Sequence, residues 1–267
     1  MRKILVQFSI LAFAFLALWL SLSQINFVDR DELEQFSKTS ERKLSEMILD
    51  VLQKSDKDLH SDSVTSLIDS IGRRLCEAND IIYDSIRVHL IINSDINAFA
   101  LPDRHMVIYT GLISHTNNAE ELAGVMAHEI GHMEKNHIMR KLGKEVGLAM
   151  LIAIMDGGKH FEIIRQITQT LSSSAFSRTY ESEADRFAME AMAKADIDPE
   201  NLANFLFRFS QKSKVPAELV WISTHPNGQD RAAGIMTEKK ELTFNPRPIL
   251  HMSWENVKKM VQDIPEE

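Results

Sequence analysis

The chain has 267 residues and a net charge of −8, with 44% hydrophobic and 25% charged residues. This composition is typical of a globular protein rather than a disordered one. No block of Lys or Arg is long enough for a nucleic-acid groove, so a nucleic-acid partner is not expected. The single cysteine, Cys76, leaves no intramolecular disulfide and no thiolate metal cluster within this sequence.

The first predicted element is a membrane anchor or signal sequence. After the positive start MRK come about twenty mostly apolar residues, which as a helix would span the roughly 30 Å hydrocarbon core. Trp19 lies near the far end, and the flank DRDELE beyond it is acidic, so the N-terminus is expected in the cytoplasm and the rest outside. Cleavage of a signal peptide at the small-x-small pair Ser21 and Ser23 is the alternative.

The rest of the chain predicts a mostly helical α+β domain with a small sheet. Apolar residues recur at helical spacing in several segments, which predicts helices over 31–54, 63–78, 117–137 (with Asn117 or Asn118 as its cap), 162–171, 178–195, 199–210, 231–239 and 253–264. A strand is predicted over Ile86–Ile92, and a hairpin from NAFAL and HMVIYT with the turn-like PDR between them. THPNGQD is predicted to be a loop.

Two further predictions concern how the chain is divided. The ten apolar residues Val146–Met155 are too few to cross a bilayer, so a buried core helix is expected, with a membrane-facing or lid surface as the alternative. The anchor or signal sequence is assigned to residues 1–24 and the folded domain to 25–267. Within that domain the core is expected over about 31–240 and a C-terminal extension over 241–267.

The stretch HEIGH has the pattern of a zinc site. His128 and His132 are four residues apart, so on a helix both imidazoles lie on one face and can reach a single zinc ion. Glu129 lies about 100° round the helix, where it can receive a proton from water without being a ligand. The apolar, small-residued surroundings favour this interpretation over a surface helix with two incidental histidines.

Two nearby groups are not expected to bind the metal. His137 is nine residues after His128, about 180° round a continuous helix, and is interpreted as a helix-end histidine favoured by the C-terminal dipole. Glu134 lies about 200° round from His132 and is interpreted as solvated.

A third ligand is expected from SRTYESEADRFAMEAM. Glu181 and Asp185 are spaced i, i+4 and share a helix face. Glu181 is predicted to bind the metal, while Asp185 accepts a hydrogen bond from the outer nitrogen of a ligand histidine. Glu183 is the alternative ligand, and a salt-bridged exposed helix is the alternative for the whole stretch.

HEIGH, SRTYESEAD and THPNGQDR, in this order, resemble the motifs of metallopeptidase family forty-eight. These gluzincins include CAAX prenyl proteases, HtpX, Oma-type enzymes and the periplasmic BepA/LoiP branch, which this chain resembles most in its single predicted span. The resemblance covers about Asp31 to Met236. It implies a zincin-like fold with one Zn²⁺ per subunit, the catalytic base Glu129, and the metal-binding and supporting residues His128, His132, Glu181 and Asp185.

The resemblance adds three expectations that spacing could not give. His225 matches a histidine that approaches the metal and stabilises the oxyanion or occludes the zinc, and Arg231 matches the basic residue after it. The strand Asn97, Ala98, Phe99, Ala100 and Leu101 resembles the edge strand that pairs with substrate backbone. Asp103 and Arg104 replace the family's usual pair of glycines next to this strand.

The sequence therefore predicts a zinc metalloendopeptidase that acts on proteins or peptides, with misfolded envelope proteins as the expected substrates. A single-pass inner-membrane protein with a periplasmic catalytic domain is expected, or a soluble periplasmic protein if the first segment is cleaved. The alternatives are a multi-span CAAX-type or HtpX-type protease, a zinc-stabilised chaperone or assembly factor with minor proteolysis, and an inactive pseudoprotease.

Overall fold

A computed structural model describes residues 30–147, 151, 161–211 and 219–264 of the chain. The chain divides into a first unit, Met1–Glu41, and a second unit, Arg42–Glu267. The predicted anchor or signal sequence over 1–24 lies outside the described residues, as does most of the predicted apolar helix Val146–Met155. Within the described ranges, no helix combines the length and the apolar character needed to cross a membrane.

The described part of the chain is mostly helical with a small sheet, as predicted. In chain order its helices and strands are α1 Arg30–Ser55, β1 Lys57–Asp58, α2 Asp62–Glu77, β2 Arg87–Ile92, β3 Ala98–Leu101, β4 His105–Tyr109, α3 Thr110–His115, α4 Ala119–Glu134, α5 His137–Leu142, α6 Phe161–Ser173, α7 Arg178–Lys194, α8 Glu200–Ser210, α9 Val220–Thr224, α10 Gly228–Glu238 and α11 Trp254–Gln262.

Most of the predicted helices are confirmed with ends shifted by one or two residues, and two predictions are wrong. The helix with the HEIGH stretch, α4, starts after Asn118, whose side chain accepts the Glu121 N–H, but it ends at Glu134 and not at His137. The helix α10 starts at Gly228, inside the segment predicted as a loop. The short elements β1, α3 and α9 were not predicted, because two to six residues are too few to show a period.

The sheet has the strand order β1-β2-β4-β3, with β2 and β4 parallel and the other pairs antiparallel. The predicted hairpin of β3 and β4 is confirmed, and β3 is an edge strand of this sheet. Alternate residues of β4 supply two cores. Met106 and Ile108 pack with side chains of α2, α4 and α8, while Val107 and Tyr109 pack on the other face with α6 and the last turns of α1.

The hairpin turn contains the two residues that replace glycines. Asp103 and Arg104 have φ values of 53° and 59°, a left-handed conformation that glycine adopts without steric cost. Ion pairs hold both side chains, because Arg87 Nη1 lies 2.9 Å from Asp103 Oδ2 and Arg104 Nη1 lies 2.7 Å from Glu134 Oε1. The interpretation of Glu134 as simply solvated is therefore wrong, since it pairs with the turn.

The helices α4 and α7 pack closely against each other. Gly131 lies between the two motif histidines, and a Cβ atom there would be 3.1 Å from both the Cα and the carbonyl oxygen of Ala184 in α7. A side chain at this position would push the two backbones apart. Glycine therefore lets α7 approach closely enough for Glu181, one turn before Ala184, to reach the histidines of α4.

Candidate metal centre

Four buried side chains bring one donor atom each to a common point. His128 and His132 come from α4, Glu181 from α7, and His225 follows α9; their ligand atoms all lie within 4.8 Å of one another. Nε2 of His132 is 3.0 Å from Nε2 of His128, and Oε1 of Glu181 is 3.5 Å from Nε2 of His132. Nδ1 of His225 is 2.9 Å from Glu181 Oε1 and 3.2 Å from His128 Nε2.

This donor set fits a zinc ion. Zinc bonds to imidazole nitrogen and carboxylate oxygen are about 2.0–2.2 Å long, so donors at the corners of a tetrahedron are roughly 3.3 Å apart. The four separations above, from 2.9 to 3.5 Å, bracket that value. Three imidazoles and a carboxylate, all buried, are costly to bring together without a cation between them. The cluster could therefore hold a divalent metal ion.

Asp185 and Arg231 lie behind the cluster. Asp185 Oδ1 is 3.0 Å from Nδ1 of His128, the outer nitrogen of that ring. Arg231 donates to both carboxylate oxygens of Asp185, from Nε at 2.7 Å and from Nη2 at 2.6 Å. Its Nη1 is 2.7 Å from Oε2 of Glu181 and also donates to the His225 carbonyl at 3.0 Å. Arg231 thus joins the two acidic residues to the loop that carries His225.

Burial and charge keep these groups in the ionisation states that a metal needs. Burial alone would raise the pKa of the Glu181 carboxyl, but His225 and Arg231 hold it well below its usual range. Burial would also raise the pKa of Asp185, and Arg231 and His128 hold it below its usual range. Burial lowers the pKa of His132 well below its usual value, so the ring is neutral and can offer a lone pair.

Glu129 lies beside the cluster without belonging to the four donors. Its side chain is fully buried, and the indole Nε1–H of Trp221 donates to Oε1 at 2.9 Å. The backbone N–H of Ala100 in β3 donates to Oε2 at 3.1 Å. Nε2 of His225 lies 3.4 Å from Oε1. The carboxylate therefore lies between the four-donor cluster and the edge strand.

Aromatic rings pack against the histidines of the four-donor cluster. Trp221 is fully buried, with its ring centroid 4.6 Å from that of His225 and 5.5 Å from that of His128. Phe176 packs on the other side, 4.0 Å from His132. Hydrogen bonds fix the segment that carries His225, since Trp221 N donates to Ile96 O and Phe176 N donates to Thr224 O. Spacing in the sequence gave no signal for Trp221 or Phe176, because neither belongs to a metal-binding pattern.

His137 is in a different place from the one predicted. The expectation of a helix-end histidine near the dipole of α4 is wrong, because the helix stops at Glu134 and His137 begins α5. The ring is fully buried, and its Nδ1 lies 3.0 Å from Nδ1 of His132. Asn136, with φ of 55°, gave the available signal, since asparagine after a helix often ends it in the left-handed conformation.

The edge strand β3 is close to Glu129, and its residues are buried. All four residues of β3 are buried, as is Asn97 before it. The side-chain amide of Asn97 donates to the carbonyl of Ser172 at 3.1 Å, so the end of α6 is held against the strand. The structure thus brings the predicted strand Asn97–Leu101 next to Glu129 and holds the end of α6 against the start of that strand.

The fold and the site together define an HExxH-type metal-binding domain with a glutamate donor from a second helix. A family profile, Peptidase family M48, matches residues 63–239, well over half of the chain. The chain therefore belongs to peptidase family M48, as the resemblance of its motifs indicated.

Individual relatives cover the same region. The chain is 26% identical over 208 residues to the beta-barrel assembly-enhancing protease of Escherichia coli (strain K12), which covers 72% of this chain and 42% of that protein. The protein with the same name in Yersinia pestis is 26% identical over 198 residues, 68% of this chain and 40% of the relative. The mitochondrial metalloendopeptidase OMA1 of Arabidopsis thaliana is 31% identical over 144 residues, which are 54% of this chain and 30% of that protein. The chain thus spans 30% to 42% of the length of these relatives.

Proposed function

We propose that this protein is a zinc-dependent metalloendopeptidase that hydrolyses peptide bonds in proteins. The observation that carries the proposal is Glu129, a buried carboxylate that touches the four-donor cluster without joining it. A site that only holds a structural zinc needs its ligands and their supports, and has no use for a further buried acid between the metal and a strand edge. Membership of peptidase family M48 supports the same conclusion.

The proposed roles follow from where each group lies. When bound by His128, His132 and Glu181, zinc supplies Lewis acidity for a peptide carbonyl and lowers the pKa of water. Glu129 takes a proton from the attacking water and delivers it to the leaving amine. A substrate paired with β3 would pass this base, because the Ala100 N–H lies 3.1 Å from its carboxylate.

His225 and Arg231 are proposed to have two roles in sequence. At rest, His225 completes a set of four protein donors, which is the closed arrangement of a structural zinc site rather than the open one of an active enzyme. We infer that the structure represents a closed resting form. In this form His225 would fill the fourth coordination position of the metal, and Trp221 donates a hydrogen bond to one oxygen of Glu129. Withdrawal of the His225 loop would open one position, and His225, supported by Arg231, would then stabilise the oxyanion.

The substrates and location are proposed from the relatives and the first segment. Two relatives are named as proteases that enhance β-barrel assembly, and another as a mitochondrial metalloendopeptidase. Misfolded or mis-assembled envelope proteins fit as substrates of this chain. We propose that residues 1–24 anchor the protein to the inner membrane, or direct its export, with the peptidase domain 25–267 in the periplasm.

The closed donor set also favours a second candidate function. A zinc-stabilised chaperone or assembly factor with minor proteolysis would need the metal for folding but no open position. Glu129→Gln separates the two candidates, because the amide keeps the size of the side chain and cannot act as a base.

The test compares the wild-type protein with Glu129→Gln, each loaded with one zinc ion per chain. For a peptidase, the variant should lose casein cleavage by about 10²–10⁴-fold, the usual contribution of general acid–base catalysis, while zinc content stays close to wild type. Its Tm should fall, because the buried amide NH2 would face the N–H of Trp221 or of Ala100. A chelator should abolish wild-type cleavage. If the wild-type protein binds zinc but cleavage survives in Glu129→Gln, or if both prevent aggregation equally and neither cleaves, the peptidase proposal is wrong.

A further inference from the structure

A line of hydrogen-bonding groups runs from the metal centre to the protein surface. Nδ1 of His132 lies 3.0 Å from Nδ1 of His137, and Nε2 of His137 lies 2.9 Å from Oε2 of Glu183 in α7. Both histidines are fully buried, whereas the Glu183 side chain is 45% exposed. The outer nitrogen of His132 is therefore held by a second histidine, which is held in turn by a carboxylate at the surface.

The break between α4 and α5 creates this line. His137 follows His132 by five residues. On a continuous helix it would lie about 140° round from His132, and the two rings could not meet. Asn136 adopts a left-handed conformation with φ of 55°, which separates α4 from α5. Tyr180 of α7 stacks on the His137 ring with centroids 4.3 Å apart and an angle of 12° between the planes. The His137 ring is thus fixed in position and in plane.

Metal binding determines where each proton lies along this line. The atom of His132 that faces the other donors is Nε2, so a metal there requires the proton of His132 to be on Nδ1. That N–H can only donate to His137 if Nδ1 of His137 is unprotonated. The proton of His137 must then be on Nε2, the atom 2.9 Å from Glu183. With the opposite tautomer of His137, two N–H groups would face each other at 3.0 Å.

We propose that His137 and Glu183 are positioning residues for the metal: they hold His132 in the tautomer that leaves its Nε2 lone pair free for zinc. The two ligand histidines would then be supported by different groups, His128 by Asp185 and His132 by His137 with Glu183. The inference rests on the zinc site of the proposed function, but it concerns metal affinity and not cleavage.

The geometry excludes a direct role for either residue in binding the metal. The His137 nitrogen nearest the centre points at the outer edge of His132, on the side of that ring away from the other donors. Glu183 is bonded to the far nitrogen of His137, one ring further out. The competing explanation is that His137 is only a buried packing residue with satisfied hydrogen bonds. That explanation predicts changes in stability but none in the metal affinity of a folded variant.

The test measures zinc affinity by chelator competition in the full-length protein. Loss of a group behind a metal ligand typically weakens binding by about 10–100-fold. We expect a loss in that range for His137→Leu. A smaller loss is expected for Glu183→Gln, because its amide oxygen can still accept the His137 N–H but carries no charge. His137→Asn should restore affinity towards wild type, because its side-chain oxygen can accept the His132 N–H. Glu190→Gln, an exposed glutamate two turns further along α7, is the matched control and should bind zinc like wild type.

A second readout reports the tautomer directly. In long-range ¹H–¹⁵N spectra of the zinc-loaded, histidine-labelled protein, His137 should carry its proton on Nε2 and His132 on Nδ1. A proton on Nδ1 of His137 would overturn the proposal, and so would wild-type zinc affinity in both Glu183→Gln and a folded His137→Leu. If the wild-type protein bound no zinc at all, the proposed function itself would fail, which is a different result from unchanged affinity in the variants.

Discussion

Two clusters of histidines in the same domain differ in what surrounds them. At the metal centre, His128 and His132 face carboxylates, and each outer nitrogen has a hydrogen-bonding partner. On the sheet, His89 of β2 and His105 of β4 are stacked at 5.0 Å, with Nε2 of His89 only 2.8 Å from Nδ1 of His105. The other nitrogen of His105 contacts the guanidinium of Arg87.

The difference shows that histidines become a metal site through the groups around them. Burial, His89 and Arg87 together lower the pKa of His105 to about 4. A further positive charge, such as a bound cation, is therefore unfavourable next to His89 and His105. Asp103, the carboxylate beside it, is already paired with Arg87. At the metal centre the acids outnumber the one arginine, and the donor atoms converge on a point instead of on each other.

The largest expected effect comes from removing the acid that distinguishes the two clusters. Glu181→Gln should weaken zinc binding by more than the roughly 10–100-fold that loss of a supporting residue costs, because a donor with a full charge is lost. Arg231 keeps both bonds to Asp185, so the variant should fold. Metal analysis after dialysis measures the effect.

The matched control for this variant is His105→Gln in the sheet cluster, which should retain one zinc ion per chain. Equal zinc content in Glu181→Gln and wild type would show that the carboxylate is not a donor. Equal loss of zinc in both variants would show that the two clusters do not differ as described.

A second prediction concerns acid stability. His105 is harder to protonate in the folded protein than in the unfolded chain, with a pKa of about 4 against an ordinary 6.5. Between these values the unfolded chain binds more protons, so the free energy of unfolding should fall as the pH drops from about 6.5 to 4, and not above that window. A shift of this size corresponds to roughly 1–3 kcal/mol after allowance for partial solvation.

Urea unfolding at pH 7 and at pH 4.5 checks this expectation. The His105→Gln variant should lose less stability on acidification than the wild-type protein, by an amount of the order given above. The nearby charges that set the balance are Arg87 and Asp103, with Asp58 acting on His89. An identical pH dependence in the variant would mean that other groups cause the acid sensitivity.

Local spacing was sufficient to predict several of the side chains that the helices bring together at the candidate site. The four-residue spacing of His128 and His132 needs only a regular helix to be informative, and α4 is regular there. Glu181 and Asp185 were predicted on the same basis, and α7 places both as expected. The hairpin was equally readable, because alternation and turn residues are properties of neighbouring positions in the chain.

What could not be predicted depends on contacts between distant segments. The position of His137 follows from one left-handed residue, Asn136, and from the stacking of Tyr180 in another helix. The bond from Trp221 to Glu129 joins residues 92 positions apart. The parallel pairing of β2 with β4, which puts β3 at the edge, likewise has no local signal. Each of these features is fixed by packing and not by periodicity.

The smallest expected effect tests the turn beside the sheet cluster. Arg104→Gly removes the steric cost of holding a side chain in the left-handed conformation, which is roughly 1–2 kcal/mol. Glycine also stabilises the unfolded chain by about 0.4–1 kcal/mol, because it gives that chain more conformational entropy. The variant also loses the partly exposed ion pair with Glu134, which contributes about 0–1 kcal/mol. These effects nearly cancel, so the free energy of unfolding should change by less than about 1 kcal/mol, a shift in Tm of no more than about 2–4 °C.

Arg104→Ala is the variant that makes this balance visible. Alanine loses the ion pair as glycine does, but it keeps the left-handed strain at φ of 59°. The alanine variant should therefore be less stable than the glycine variant by about 1 kcal/mol, while both keep the zinc content of wild type because the turn is not part of the metal centre. If alanine were as stable as glycine, the left-handed strain at Arg104 would be no larger than the roughly 0.4–1 kcal/mol that glycine costs through the unfolded chain.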